Sequence, residues 1–235
     1  MKIKIWFDFQ CPFCYMGEKE LEKALSSMEL TEPVVIEYKA YELDPKAPVS
    51  PVESMTDHFM SGHDLTRQEA EERMDKITRM AQRVGLEYNL AEVKVCNTLD
   101  AHRLMKYAAE HVSPGKLKKL SDSLFKAVFE EGLLISDREL LADRAATVGL
   151  SREEVRDMLE EDTYTDLVRR DESELDSRMD FEFIPFMLLP DGSLRQGVVS
   201  EEGLRTWLQS AMSGDSTSPE EDEPREGCGP AGCGI

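Results

Sequence analysis

The sequence has no apolar run approaching the ~20 residues needed to span a bilayer. Its longest apolar runs are short, such as Ile184-Pro185-Phe186-Met187-Leu188-Leu189, so no membrane-spanning helix is expected. Positive charge is also short: 28 Lys and Arg stand against 48 Asp and Glu, a formal net charge of -20. Such a surface repels polyanions, which argues against nucleic acid and against an anionic membrane as partners; the plain use of the charge is solubility. The first residues, Met1-Lys2-Ile3-Lys4-Ile5, lack the apolar stretch and small-residue cleavage site of a secretory signal. The expected compartment is therefore cytoplasmic, where thiols are mostly reduced. Cysteine is sparse, five in 235 residues, and no second C-x2-C knuckle completes a four-ligand zinc site. No regular internal repeat is present.

What the chain does have is Cys11-Pro12-Phe13-Cys14, preceded by the apolar Ile3-Lys4-Ile5-Trp6-Phe7 and followed by Leu21, Ala24 and Leu25 at helical spacing. The order is strand, C-x-x-C, helix. A thiol at a helix N-terminus meets orphan N–H groups and the positive end of the macrodipole, which favour thiolate, the form that attacks disulfides. Cys14 lies one turn on and can resolve a mixed disulfide. The alternatives are half of a zinc site or two inert core cysteines. The other pair, Cys228 and Cys233, is spaced C-x4-C in a different setting, so redox use of the first pair outweighs both.

Residues 33–41 read as a second strand, and prolines at 45, 48 and 51 mark a loop into a new region. From about 52 to 178 the pattern is helical, six or so helices, with Met74, Ile77, Met80, Ala81 and Val84 on one face. Thr66, Ser136 and Ser151 each precede a Glu by three residues, the capping-box spacing, and Gly85 and Gly149 suit C-terminal stops. Strands return at 183–189 and 194–199 around the turn Pro190-Asp191-Gly192, and a last helix runs over about 201–212. From Ser213 to Gly227 the chain is acidic and lacks large apolar residues, so disorder is expected. The plan is α/β, a thioredoxin-like fold with a large all-helical insertion. Its parts are 1–43 and 165–212 for the thioredoxin-like domain, 44–164 for the insertion, and 213–235 for a disordered acidic tail ending in the C-x4-C motif.

Three stretches carry a family resemblance: Asp8-Phe9-Gln10-Cys11-Pro12-Phe13-Cys14, Asn97-Thr98-Leu99-Asp100-Ala101-His102-Arg103-Leu104, and Cys228-Gly229-Pro230-Ala231-Gly232-Cys233. Together they resemble the DsbA family of thiol–disulfide oxidoreductases, in its cytoplasmic FrnE-like branch. The resemblance implies Cys11 as nucleophile and Cys14 as resolving thiol. It also implies a cis bond at Ile184-Pro185 that presents the Ile184 backbone to a substrate strand, with Phe13 and His102 beside the groove. From the residues alone Pro185 would sit in an edge strand with a trans bond, His102 would be hydrogen-bonded structure, Asp8 would cap the motif turn, and Cys96 would be a small buried apolar residue. The turn residues between Cys228 and Cys233 can bring these together as a second redox pair.

The expected function is dithiol–disulfide exchange on protein or small-molecule thiols and disulfides. It needs no metal and no organic cofactor; glutathione is a possible thiol partner, and the chain is a monomer or a homodimer. Two alternatives stand beside it. One is a glutathione-dependent transferase or isomerase of small aromatic substrates, which usually carries Ser at the place of Cys11. The other is a non-enzymatic zinc-holding or binding protein.

Overall fold

The computed structural model describes residues 1–30, 33–51, 53–213, 226–229 and 232–234. Strand β1 (Lys2–Phe7) leads into helix α1 (Pro12–Ser26), and β2 (Val35–Ala40) returns parallel to β1. Seven helices follow: α2 (Met55–His63), α3 (Arg67–Arg83), α4 (Leu99–His111), α5 (Pro114–Phe129), α6 (Arg138–Thr147), α7 (Arg152–Glu160) and α8 (Thr165–Asp176). The hairpin β3 (Phe186–Leu188) and β4 (Leu194–Gln196) and helix α9 (Glu201–Ser213) close the sheet, whose order is β2-β1-β3-β4 with β3 antiparallel to both neighbours. This is the mixed α/β thioredoxin-like fold with a helical insertion. Among the described residues no helix is long and apolar enough to cross a membrane.

The alternation of β1 separates two faces. On one, Trp6 donates its indole N–H to the Asp171 carbonyl at 2.9 Å and Lys4 pairs with Glu174 at 2.7 Å, both in α8. On the other, Phe7 meets Phe125 of α5 and His102 of α4. The Asp171 carboxylate, almost fully buried, accepts from Lys39 Nζ at 2.6 Å, from the Ala40 N–H at 2.9 Å and from Lys106 Nζ. One acid thus ties β2, α4 and α8 together.

Helix ends follow the local signals in two of three cases. Thr66 and Glu69 form the reciprocal capping box, and Ser151 accepts from the Glu154 N–H at 3.3 Å. The expected Ser136 cap is displaced by one residue. Asp137 caps α6 by accepting from the Glu139 N–H at 2.9 Å, and Ser136 instead donates to the Val49 carbonyl. Asp and Ser are comparable caps, so the choice falls to that long-range partner: Ser136 is drawn to Val49 and the cap passes to Asp137. Gly85 and Gly149 take φ of 87° and 92°, as helix stops require.

The C-terminus departs from the expected disorder. Residues 214–225 lie outside the described residues, but β5 (Gly227–Gly229) and β6 (Gly232–Gly234) form an antiparallel hairpin with Cys228 opposite Cys233. The reason is tertiary: the backbone of Cys228 exchanges two hydrogen bonds with Ile184, a partner that the tail's composition does not announce.

Candidate active site

Cys11 is the N-cap of α1 and Pro12 its first residue, so the reactive turn is set by a proline with φ already suited to the helix and no N–H to satisfy. The Cys14 N–H donates to the Cys11 carbonyl at 3.1 Å, and the Cys11 N–H donates to the Asp8 carbonyl at 3.1 Å. Cys11 and Cys14 are free thiols, and both are buried. Burial pushes the Cys14 thiol well up, reinforced by its hydrogen bond to Cys11 and by the charge there. Cys14 therefore holds its proton in this setting.

The Ile184-Pro185 peptide is cis, and the Cys11 thiol lies 3.9 Å from the Ile184 carbonyl oxygen. Gly17 is the residue that permits this approach: a Cβ there would sit 2.7 Å from Pro185 Cγ. Sequence reasoning passed over it. The signal was available, since glycine inside a helix costs about 1 kcal/mol relative to alanine and needs a packing reason. From the insertion, Tyr88 donates its hydroxyl to the Pro12 carbonyl at 2.7 Å, closing the motif from the far side.

Phe13 is fully buried in the core. His102 is 1 % exposed and meets Phe7 edge to face and Phe9 at a tilt. Its Nε2 lies 3.6 Å from Asp8 Oδ1 and has no hydrogen-bond partner among the described residues. Asp8 accepts from the Gln10 N–H at 3.3 Å, capping the motif turn, and from the Leu43 N–H at 2.7 Å, which pins the loop after β2. The structure thus gathers Cys11, Cys14, Ile184, Pro185 and the Cys228 backbone at one spot. Phe13 and His102 sit behind that spot rather than in the open. Cys228 is disulfide-bonded, whereas Cys11, Cys14 and Cys96 are free. Among the described residues no group of three or more His, Cys, Asp or Glu could hold a metal ion.

One turn beyond Cys14, Glu18 is fully buried. Burial, helped by the charge of Asp122, raises its pKa to about 7, against hydrogen bonds donated by Tyr38 at 2.6 Å and Ser121 at 2.9 Å. The folded state therefore keeps a proton that the unfolded chain releases near the ordinary value of 4.5. The stability from this proton is fully present below about pH 4.5 and is lost as pH rises to about 7, a change of about 3 kcal/mol. In urea unfolding, Glu18→Gln should gain on the native protein by about that amount between pH 4.5 and pH 8. A difference between the two proteins that stays flat with pH refutes the assignment.

The DSBA-like thioredoxin domain model matches residues 2–209. The uncharacterized protein YwbO of Bacillus subtilis is 26% identical over 192 residues, 80% of this chain and 86% of its own length. The crystal structure of a probable DsbA oxidoreductase from Streptomyces coelicolor superposes with a TM-score of 0.83 at 29% identity, covering 100% of this chain and 99% of the other. The cytosolic disulfide reductase DsbM from Pseudomonas aeruginosa, solved with GSH, gives 0.62 at 16% identity over 91% of this chain and 100% of its own, a likeness of fold.

Proposed function

Because this chain belongs to the DsbA-like thioredoxin-domain family and is a thiol–disulfide oxidoreductase, we propose that it exchanges dithiols and disulfides in the cytoplasm through Cys11, as a FrnE-like member. The observation that carries this reading is the pair of free thiols at the start of α1, with Cys11 Sγ beside the Ile184 carbonyl.

In the reducing direction, Cys11 thiolate attacks one sulfur of a substrate disulfide. A Cys11–substrate disulfide forms and the first substrate sulfur leaves as thiolate. Cys14 then gives up its proton and attacks Cys11 Sγ, expelling the second substrate thiolate. The protein is left with a Cys11–Cys14 disulfide, and two electrons have passed to the substrate. The reverse sequence oxidises a dithiol. Every step uses sulfur chemistry alone, so no metal or organic cofactor takes part. Glutathione suits the role of thiol partner, the molecule present in the Pseudomonas aeruginosa structure. Cys228 and Cys233 act as a second redox pair, supported by the disulfide at Cys228 and by its backbone contact with Ile184.

Equilibration against glutathione buffers of graded poise, followed by acid quench, alkylation and mass mapping, tests the reading. The expected result is a two-electron transition joining Cys11 to Cys14. Failure of that disulfide to form at any poise overturns it.

A further inference from the structure

Three backbone hydrogen bonds seat the tail on the body of the protein. The Glu226 carbonyl accepts from the Val198 N–H at 2.8 Å, the Cys228 carbonyl accepts from the Ile184 N–H at 2.7 Å, and the Cys228 N–H donates to the Ile184 carbonyl at 3.1 Å. Lys76 of α3 adds an ion pair to Glu226 at 3.2 Å, so the strand also bridges to the insertion. The Ile184 carbonyl oxygen is the same atom that lies 3.9 Å from Cys11 Sγ. The Cys228 nitrogen and Cys11 Sγ are therefore no farther apart than the sum of the two distances, 7.0 Å. Both cysteines are fully buried.

The seat is cut for glycine. A Cβ on Gly227 would meet Phe183 Cβ at 2.7 Å and the Ile184 carbonyl at 2.9 Å, and a Cβ on Gly229 would land on the Glu182 carbonyl oxygen. On the facing side, Gly197 holds φ of 70°, and a Cβ there would lie 2.7 Å from the Glu226 carbonyl. Only a strand bare of side chains on both sides of its cysteine can come this close.

We infer that the strand Glu226–Gly229 is a built-in competitor for substrate: it fills the Ile184 edge, a backbone edge beside Cys11 through which an extended thiol or disulfide peptide would add as a strand. This rests on the exchange reading given above. Strand addition needs the free N–H and C=O of the edge residue, and those of Ile184 are already used by Cys228. A tethered segment acts at an effective concentration on the order of millimolar. An incoming peptide therefore binds only to the fraction of molecules whose tail has lifted, and its apparent affinity falls by that fraction.

The test uses the full chain with all five cysteines, as native protein, Gly229→Ala and Gly229→Val. Hydrogen exchange is followed at the Ile184 and Cys228 amides, and turnover is followed with a linear synthetic peptide carrying glutathione in mixed disulfide on a central cysteine. The native protein should protect both amides. Both variants should lose that protection, and KM should fall on the order of tenfold, with kcat changing less than KM. Unprotected amides in the native protein, protection retained in both variants, or protection lost without a fall in KM each overturns the inference. Should no form turn over, the exchange reading falls by itself. The competition is then read from binding of the peptide's serine analogue, which must tighten in both variants for the inference to stand.

Discussion

Cys11→Ser should lower dithiol–disulfide exchange by about three orders of magnitude or more, the scale on which loss of a catalytic nucleophile acts. Cys14→Ser should instead accumulate mixed disulfides through Cys11. The asymmetry follows from the site. Cys11 stands at the N-cap and faces the Ile184 carbonyl, while Cys14 lies inside the first turn of α1 with its thiol pushed well up by burial. A thiol held in its protonated form is a poor first attacker, yet it is well placed to resolve a bond formed one turn away. Removing it leaves the first step intact and blocks the second. Trapping with a disulfide-bonded protein substrate, resolved on non-reducing gels and mapped by mass spectrometry, checks this. Adducts through Cys14 in Cys11→Ser, with none through Cys11 in Cys14→Ser, would exchange the two roles.

The largest stability effect should come from Arg103→Ala, about 3–5 kcal/mol, the scale of breaking a buried charge network. Arg103 is 3 % exposed. Its guanidinium donates to the Thr163 carbonyl at 2.8 Å, Met158 at 2.8 Å, Leu159 at 3.3 Å and Glu161, and pairs with Asp100 at 2.6 Å. These carbonyls belong to the last turn of α7 and the link to α8, where a helix leaves its C=O groups without intrahelical partners. One planar fork on α4 satisfies them together. Lysine's three donors sit on one nitrogen and cannot span them, so Arg103→Lys should recover less than half of the loss. Urea unfolding of the three proteins measures both numbers. A loss under about 1 kcal/mol in the alanine variant would show that water replaces the fork at little cost.

The stretch Asn97–Leu104, which carries part of the family resemblance, thus has much of its meaning in packing. Asn97 accepts from the Leu99 N–H at 3.0 Å at the start of α4 and donates to Glu42 at 3.2 Å. His102 sits behind Asp8, and Arg103 caps α7. Spacing along the chain could place these residues on a helix. It could not say that Asp8, ninety-four positions before His102, would lie against it.

What the sequence by itself determined is whatever depends on near neighbours. The strand before Cys11, the proline-led helix after it, the box at Thr66 and the glycine stops at 85 and 149 all follow from side-chain period and from backbone groups within a turn. Such interactions reach only a few residues, so they leave a local mark. The tertiary structure alone decided three other things: that α1 and the Pro185 loop meet across Gly17, that Asp137 rather than Ser136 caps α6, and that the tail ends as a strand on Ile184. Each depends on a main-chain or side-chain partner chosen by packing. The tail shows the reason most clearly. Its acids and its lack of large apolar residues make it look structureless, and its glycines add conformational freedom to lose. Yet those same glycines are what let it lie against the carbonyls of Glu182 and Ile184, a fit visible only once both strands are in place.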